Sequence, residues 1–112
     1  LSKAEEYNGI QALFLKLQGK DTKGLKEYAE TLRNKLTNGF VFISNEIDGK
    51  TTFVCASSKE AIQKGIKAGD IVKMAATMCG GNGGGRPDMA QAGAKDASKI
   101  DEAIQSIREK LQ

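Results

Sequence analysis

The sequence predicts a small α/β domain, with one mixed β-sheet, helices packed on it, an antiparallel hairpin and a glycine-rich loop. Alternating apolar residues over positions 10–17 are typical of a strand. Two β-branched and aromatic runs on either side of Asp48-Gly49 are typical of a hairpin. Apolar residues spaced three and four apart, before and after that hairpin, indicate helices. A chain of 112 residues suits one such domain.

The first strand and the first helix follow from their periodicity. The segment IQALFLKL, residues 10–17, has leucine at positions 13, 15 and 17, a period of two that predicts a buried or half-buried strand. From residue 23 to 36 the apolar side chains follow an i, i+3/4, i+7, i+11 stripe, which predicts an amphipathic helix. Thr22 is its predicted N-cap, and Asn38-Gly39 is the predicted stop.

The clearest local signal is the pair of segments GFVFISNEI and KTTFVCAS around Asp48-Gly49. Asp-Gly is preferred in tight two-residue turns because glycine adopts positive φ without a steric cost. We therefore expect the two flanking strands to pair antiparallel.

Two short helices are expected after the hairpin. The SSKE segment, residues 57–60, fits a capping box and opens a helix near residues 58–66. Gly69 separates that helix from a second one at residues 71–78, which Asp70 is predicted to cap.

The last helix is predicted near the end of the chain. Gly80 should end the preceding helix in a left-handed conformation. Ser98 and Asp101 then form a capping pattern for a helix with an apolar stripe of Ile100, Ile104, Ile107 and Leu111.

Composition excludes several kinds of site. The chain has no histidine, so nucleophile pairs that use histidine and HEXXH-type metal centres are excluded within it. Cys55 and Cys79 are far apart in the sequence, and with no histidine they are too few ligands for an ordinary zinc site, so we expect none. No apolar run of 18 residues and no secretory leader is visible, so we expect a cytoplasmic location with free thiols and no membrane partner.

The most distinctive segment is CGGNGGGRPDMAQAG, residues 79–93. It holds six of the 13 glycines and the only proline. Glycines let successive backbone amides converge on an anion, and Arg86 adds a planar fork of donors that matches phosphate. Asp88 and Gln91 could hydrogen-bond the loop or a ligand sugar, and Asn82 tolerates the left-handed conformation expected at a loop tip.

Two familiar phosphate-binding motifs do not match this segment. Residues 80–85 have the GxxxxG spacing, but Arg86-Pro87 replaces the lysine and hydroxyl residue of a Walker loop. A GxGxxG pattern starting at Gly81 fails at its last position, so ATP and NAD binding are poorly supported. An alternative stays open, in which the glycines only allow the backbone to pass close to a sheet or helix.

The segment GGNGGGRPDMAQAG resembles the signature GG-x-GGGRP-x-x-AQ-x-G near the C-terminus of alanyl-tRNA synthetases. The segment KAGD at residues 67–70, the Asp-Gly hairpin and YNG at residues 7–9 are also similar to that family. The resemblance covers essentially the whole chain. It implies that residues 1–8 end an upstream linker or helix and that residues 9–112 are a globular C-terminal tRNA-binding domain.

The resemblance also implies a function. The parent enzymes are ATP-dependent ligases that join alanine to tRNA, and their catalytic and editing sites lie upstream. The domain itself has no catalytic residues in this family. It contacts the outer corner of tRNA(Ala) and assists aminoacylation and editing. The implied ATP, magnesium and zinc belong to the parent enzyme, with no cofactor in this fragment. The implied partners are tRNA(Ala), the upstream domains and a second copy joined through an upstream helical region.

Carried over by position, the glycines at 83–85 with Arg86 are the candidate phosphate contacts. Ala94 departs from the second glycine of the AQ-x-GG pattern that many synthetases show. Two lysines that precede the segment complete the predicted site. The full set of candidate nucleic-acid-binding residues is Lys67, Lys73, Gly81, Asn82, Gly83, Gly84, Gly85, Arg86, Asp88 and Gln91.

Two alternative functions remain. The same type of domain occurs in DHH phosphoesterases, where a GGGH-like segment helps to hold the substrate. Arg86 occupies the position of that histidine. The chain could therefore be the substrate-binding domain of a DHH-type phosphoesterase that acts on single-stranded or short nucleic acid. The other alternative is a structural or dimerisation module.

Overall fold

Six strands form one mixed sheet in the computed structural model, which describes residues 4–94 and 97–112. The strands are β1 (Glu5–Tyr7), β2 (Ile10–Gln18), β3 (Phe40–Ile47), β4 (Lys50–Ser57), β5 (Asn82–Gly85) and β6 (Met89–Ala94). Their order across the sheet is β1-β2-β3-β4-β6-β5. Strands β2 and β3 are parallel, and the other neighbouring pairs are antiparallel. The predicted fold class is confirmed.

Helices cover both faces of the sheet. They are α1 (Thr22–Lys35), α2 (Lys59–Gln63), α3 (Ala68–Met78) and α4 (Ile100–Leu111), with a 3₁₀ turn at Ala97–Lys99. The larger apolar core packs α2, α3 and α4 on the face that carries Phe40, Phe42 and Phe53. A smaller core packs α1 on the opposite face, against Val41 and Val54. The alternation of side chains along β3 and β4 therefore supplies both cores.

The central hairpin forms as predicted. Strands β3 and β4 pair in register from Phe40 opposite Ser57 to Ile47 opposite Lys50. Asp48 and Gly49 form the turn with φ values of 51° and 76°. Positive φ at both central residues matches the twist of the two strands.

Three predicted helix starts are wrong. The N-cap residue of α4 is Lys99 rather than Ser98, and it makes no side-chain cap hydrogen bond. The side chain of Asp21, rather than Thr22, accepts the hydrogen bond from the Lys23 backbone amide at the start of α1, at 3.1 Å. Helix α3 begins at Ala68 and includes Gly69 and Asp70 in its first turn, so Asp70 is not its cap. Gly69 is tolerated there because its missing side chain lets the helix approach β5.

The glycine-rich segment differs most from the prediction. It is a β-hairpin at the sheet edge rather than an irregular loop, since β5 pairs with β6 from Asn82 opposite Gly93 to Gly85 opposite Ala90. Strand β6 in turn pairs with β4. Glycine has a low intrinsic preference for strands, so the segment NGGG carries no local strand signal. The neighbouring strand β6 imposes the conformation.

The N-terminal residues contribute to the sheet. Strand β1 pairs with the first residues of β2, and the Asn8 side-chain amide donates a hydrogen bond to the Leu111 carbonyl at 3.0 Å. Residues 5–7, which the sequence placed in an upstream linker or helix, thus extend the sheet by one strand. The boundary at residue 9 remains a prediction.

Candidate nucleic-acid interface

A surface groove lies between helix α1 and the hairpin formed by β5 and β6. Its volume is about 590 Å³. We call it the glycine groove and define it by its lining residues: Lys26, Thr52, Gly83, Gly84, Gly85, Arg86, Met89, Ala90, Gln91, Ala92 and Gly93. Nine of these eleven residues belong to the signature segment, which makes the groove the place where the sequence resemblance and the surface shape coincide.

The floor of the groove is nearly bare backbone. Gly93 lies opposite Thr52 of β4, and Gln91 lies opposite Gly84 of β5, so these four residues share one face of the sheet. A Cβ built on Gly84 or Gly93 would meet no heavy atom within 4 Å. These positions therefore leave peptide groups open to a ligand, with the Gln91 amide and Thr52 hydroxyl beside them.

The opposite face of the same hairpin is closely packed. A Cβ on Gly83 would collide with Ala92, and a Cβ on Gly85 would lie 2.8 Å from the Cβ of Ala90. Ala90 and Ala92 belong to the core beneath α3. The glycines therefore allow close packing on one face of the hairpin and leave the groove open on the other.

The backbone amides do not converge as in a phosphate-binding loop. In β5, the groups directed at β6 form the sheet ladder. Because β5 is the last strand of the sheet, alternate residues direct their N–H and C=O groups outward from its edge. Any anion contact through these glycines would use an exposed strand edge or the open sheet face.

Arg86 extends from the hairpin turn into solvent. Its side chain is 76% exposed, and Nε lies 3.4 Å from Oδ1 of Asp88, whose side chain is 50% exposed. An exposed pair of this kind contributes little free energy, on the order of 0–1 kcal/mol. A ligand phosphate could therefore replace the Asp88 carboxylate as the partner of the guanidinium at small cost.

The turn that presents Arg86 is well anchored. The carbonyl oxygen of Asp88 accepts hydrogen bonds from the backbone amide of Ser57 at 3.0 Å and from Arg33 Nη1 at 3.3 Å. The carbonyl of Pro87 accepts one from the amide of Ala68 at 2.8 Å. The turn is thus fixed to β4, α1 and α3, which orders the base of the Arg86 side chain.

The two lysines predicted as site residues, Lys67 and Lys73, lie in different places. Lys67 is the N-cap residue of α3. It lies next to the β5–β6 turn, because the backbone amide of the following residue, Ala68, bonds to the Pro87 carbonyl of that turn. Lys73 is exposed on α3, which packs on the face of the sheet opposite to the groove. The structure therefore does not bring Lys73 to the glycine groove. Lys26 of α1, which the sequence did not single out as a site residue, lines it.

Sequence reasoning missed Lys26 because nothing local distinguishes it from the other lysines of α1. Its position depends on how α1 packs across β3 and β4. Asn82 is part of β5, but its side chain lies outside the described part of the structure.

The described residues show no cluster of metal ligands. Within residues 4–94 and 97–112, no three His, Cys, Asp or Glu side chains are grouped so that they could hold a metal ion. Cys55 and Cys79 are both buried, and burial raises the pKa of the Cys55 thiol well above its ordinary value. No helix of this described part is long and apolar enough to cross a membrane.

Residues 9–112 match the family model of the DHHA1 domain. The chain belongs to the DHHA1 domain family. This DHHA1 domain is 44% identical over 109 residues to the alanine–tRNA ligase of Oceanobacillus iheyensis, a match that covers 97% of the chain. It is 47% identical over 104 residues to the alanine–tRNA ligase of Acetivibrio thermocellus, which covers 93% of the chain. In both comparisons it spans only 12% of the relative's length.

A solved structure agrees with this assignment. The DHHA1 domain superposes on the C-Ala domain of the Aquifex aeolicus alanyl-tRNA synthetase with a TM-score of 0.89 and 29% sequence identity, and the match covers 97% of both chains. The resemblance to the C-terminal region of alanyl-tRNA synthetases is therefore confirmed. The domain has the C-Ala fold, and these relatives are alanine–tRNA ligases.

Proposed function

We propose that this DHHA1 domain is the non-catalytic tRNA-binding module of an alanine–tRNA ligase. It would contact the outer corner of tRNA(Ala) and so assist aminoacylation and editing. One observation carries the proposal: the bare glycine floor lines the same groove as Lys26 and the exposed Arg86, within the segment that resembles the synthetase signature. Such a surface suits recognition of RNA by shape and phosphate.

The charges of the groove favour a phosphate ligand. The chain carries a net charge of +3, which permits contact with an anionic partner. In the proposed complex, a phosphate accepts two hydrogen bonds from the Arg86 guanidinium in place of the weak contact with Asp88. The Gln91 amide and the Thr52 hydroxyl are positioned to meet ribose hydroxyls. Lys67, beside the turn, adds positive charge at the rim.

The remaining functions of the enzyme belong to the longer protein in this proposal. ATP, magnesium and zinc would bind in the upstream domains, because the groove has neither a Walker lysine nor a metal-ligand cluster among its described residues. The upstream domains are also the expected partners of this one in the cytoplasm, and an upstream helical region would form any homodimer.

A tRNA titration tests the proposal. We expect the wild-type chain to bind a tRNA(Ala) transcript with a Kd of roughly 10⁻⁴–10⁻⁶ M that weakens as salt rises. Arg86→Ala should weaken binding and lower the slope of log K against log salt by about 0.7–0.9. Lys110→Ala is the control, since it removes the same charge from exposed α4 across the sheet. The titration is made at a low and a high salt concentration. Equal affinity of wild type and Arg86→Ala at both would refute the assignment of this site.

A second variant tests the floor rather than the charge. Gly93→Ala adds a methyl group where a Cβ has open space, so we expect normal folding. If RNA lies close to the backbone at this point, the methyl group should reduce tRNA affinity with an unchanged salt slope. Circular dichroism and thermal unfolding would confirm that the fold is retained.

The phosphoesterase alternative is less well supported. The relatives described above are ligases, and Arg86 replaces the histidine that phosphoesterases have in the GGGH-like segment. The sequence upstream of this chain discriminates between the two. An HxxxH editing motif there supports the ligase, and a DHH motif supports the phosphoesterase.

A further inference from the structure

The glycine groove continues beyond its floor at Gly93. A second cavity of about 630 Å³ lies at the end of the sheet where the β3–β4 turn meets the link between α3 and β5. Thr52 and Gly93 line both cavities. The two cavities are therefore neighbours along β6. The second is lined by Gly49, Lys50, Thr51, Thr52, Gly80, Gly81, Gly93 and Ala94.

Lys50 supplies a cation to this second cavity. It is exposed at the first position of β4, two residues before Thr52, so both side chains extend from the same face of the sheet. The acidic neighbours in the same hairpin are Asp48 in the turn and Glu46, which lies on the opposite face of β3. Among the described residues that line the second cavity, Lys50 is thus the basic one.

Arg86, Lys26 and Lys50 are spread along the length of the β5–β6 hairpin. Arg86 lies in the turn before β6, and Lys50 lies beside the last residue of β6. The five residue-to-residue steps of β6 separate these two ends by about 17 Å. Arg33 of α1 contacts the turn end, and Lys26 precedes it by seven residues. Lys26 therefore lies about 10 Å back along the helix, towards Lys50.

We propose that the two cavities form one track for an extended RNA backbone, in which Arg86 and Lys50 contact different phosphates of the same strand. Lys26 flanks the track from the α1 side, and the bare backbone at Gly93 lets the RNA cross from one cavity to the other. The proposal rests on the tRNA-binding function proposed above and extends its site to the β3–β4 turn. A single-phosphate site at Arg86 would leave Lys50 without a role.

The test is a double-mutant cycle on tRNA(Ala) binding across a series of salt concentrations. Lys50→Ala and Arg86→Ala should each lower the salt slope by about 0.7–0.9, and the double variant by twice that amount, because each cation displaces counterions from its own phosphate. The fold-losses in affinity should multiply, as expected for separate contacts. Lys50→Gln, which keeps a polar side chain but removes the charge, should reproduce Lys50→Ala.

The controls separate this inference from the proposed function. Lys110→Ala removes an equal charge from the other side of the sheet and should bind as wild type. If Lys50→Ala and Lys50→Gln also bind as wild type while Arg86→Ala is weakened, the track is refuted and the proposed function stands. If the double variant binds no more weakly than a single one, the two cations share one contact and the track is again refuted. If the wild-type chain fails to bind, both proposals fail.

Discussion

Gly69 of α3 brings the helix backbone against Gly85 of β5. A Cβ on Gly69 would lie 2.5 Å from the carbonyl oxygen of Gly85, a separation that side-chain atoms do not adopt. The obstructing atom belongs to the backbone, so a rotamer change cannot relieve the contact. Gly69 therefore sets the distance between α3 and the glycine hairpin, although it takes no part in the groove.

Gly69→Ala should destabilise the fold. The added methyl group forces α3 and β5 apart, and overpacking of this kind costs about 1–3 kcal/mol. The higher helix propensity of alanine returns at most about 1 kcal/mol. We expect a lower midpoint in urea unfolding, together with weaker tRNA binding if the hairpin moves.

Gly24→Ala is the matched control for that prediction. Gly24 also lies in the first turn of a helix, but a Cβ there would meet nothing within 4 Å. The substitution should raise the free energy of unfolding by about 0.5–1 kcal/mol. Loss of stability in both variants would show that the contact with Gly85 is not the cause.

Asp88→Asn should strengthen tRNA binding. The substitution removes the carboxylate that pairs with Arg86, so a phosphate no longer competes with it. Asparagine keeps the backbone carbonyl that Ser57 and Arg33 use, and the turn should therefore remain in place. We expect an affinity gain of a few fold at low salt, within the range of about 0–1 kcal/mol for an exposed pair.

The same substitution made in an Arg86→Ala background provides the control for Asp88. The gain should shrink there, because only the general effect of removing a negative charge remains. A loss of affinity in Asp88→Asn would instead indicate that the carboxylate contacts the RNA directly, as the sequence first suggested.

Strand β1 is attached to α4 by a two-hydrogen-bond ion pair. Nε and Nη2 of Arg108 lie 2.9 Å from the two carboxylate oxygens of Glu5. The guanidinium carbon also lies 4.8 Å from the centre of the Phe14 ring. The hydrogen bond from Arg108 is the main reason that the pKa of Glu5 falls below its ordinary value, although desolvation opposes it.

This pair should make stability depend on pH in the acid range. The pKa of Glu5 in the folded chain lies below its ordinary value of 4.5. At a pH between these two pKa values, the unfolded chain therefore binds more protons than the folded chain. The stabilisation is fully present above pH 4.5 and is lost as the pH falls through the folded value. Both side chains are about one-third exposed, so we expect a contribution of only about 0.2–1 kcal/mol.

Arg108→Gln tests that dependence. An NMR titration should show the pKa of Glu5 rising towards its ordinary value in the variant. The stability difference from wild type, measured by urea unfolding, should narrow as the pH falls below 4.5. Lys110→Gln on the same helix should leave the titration of Glu5 unchanged. An unaltered Glu5 pKa in Arg108→Gln would contradict the role assigned to the hydrogen bonds.

Features that depend on neighbouring residues in the chain could be predicted from sequence. The Asp48-Gly49 turn, the strand at residues 10–17 and the helix stripes each follow from short-range conformational preferences or from side-chain period. The signature segment likewise identified the family. The prediction that Asp70 caps α3 was wrong because glycine is locally a helix breaker. Gly69 nevertheless lies inside α3, where the close approach to Gly85 leaves no room for a side chain.

The sequence by itself therefore determined β2, the β3–β4 hairpin, the helices, the fold class and the segment that carries the family signature, because turn chemistry and periodicity are encoded within a few residues. Only the tertiary structure decided that NGGG is an edge strand, that Lys26 lines the glycine groove and Lys50 the neighbouring cavity, and that Lys73 lies on the opposite face of the sheet. Those facts depend on pairing between β5 and β6 and on helices packed on opposite faces of the sheet. Such contacts join residues distant in sequence, and no local preference specifies them.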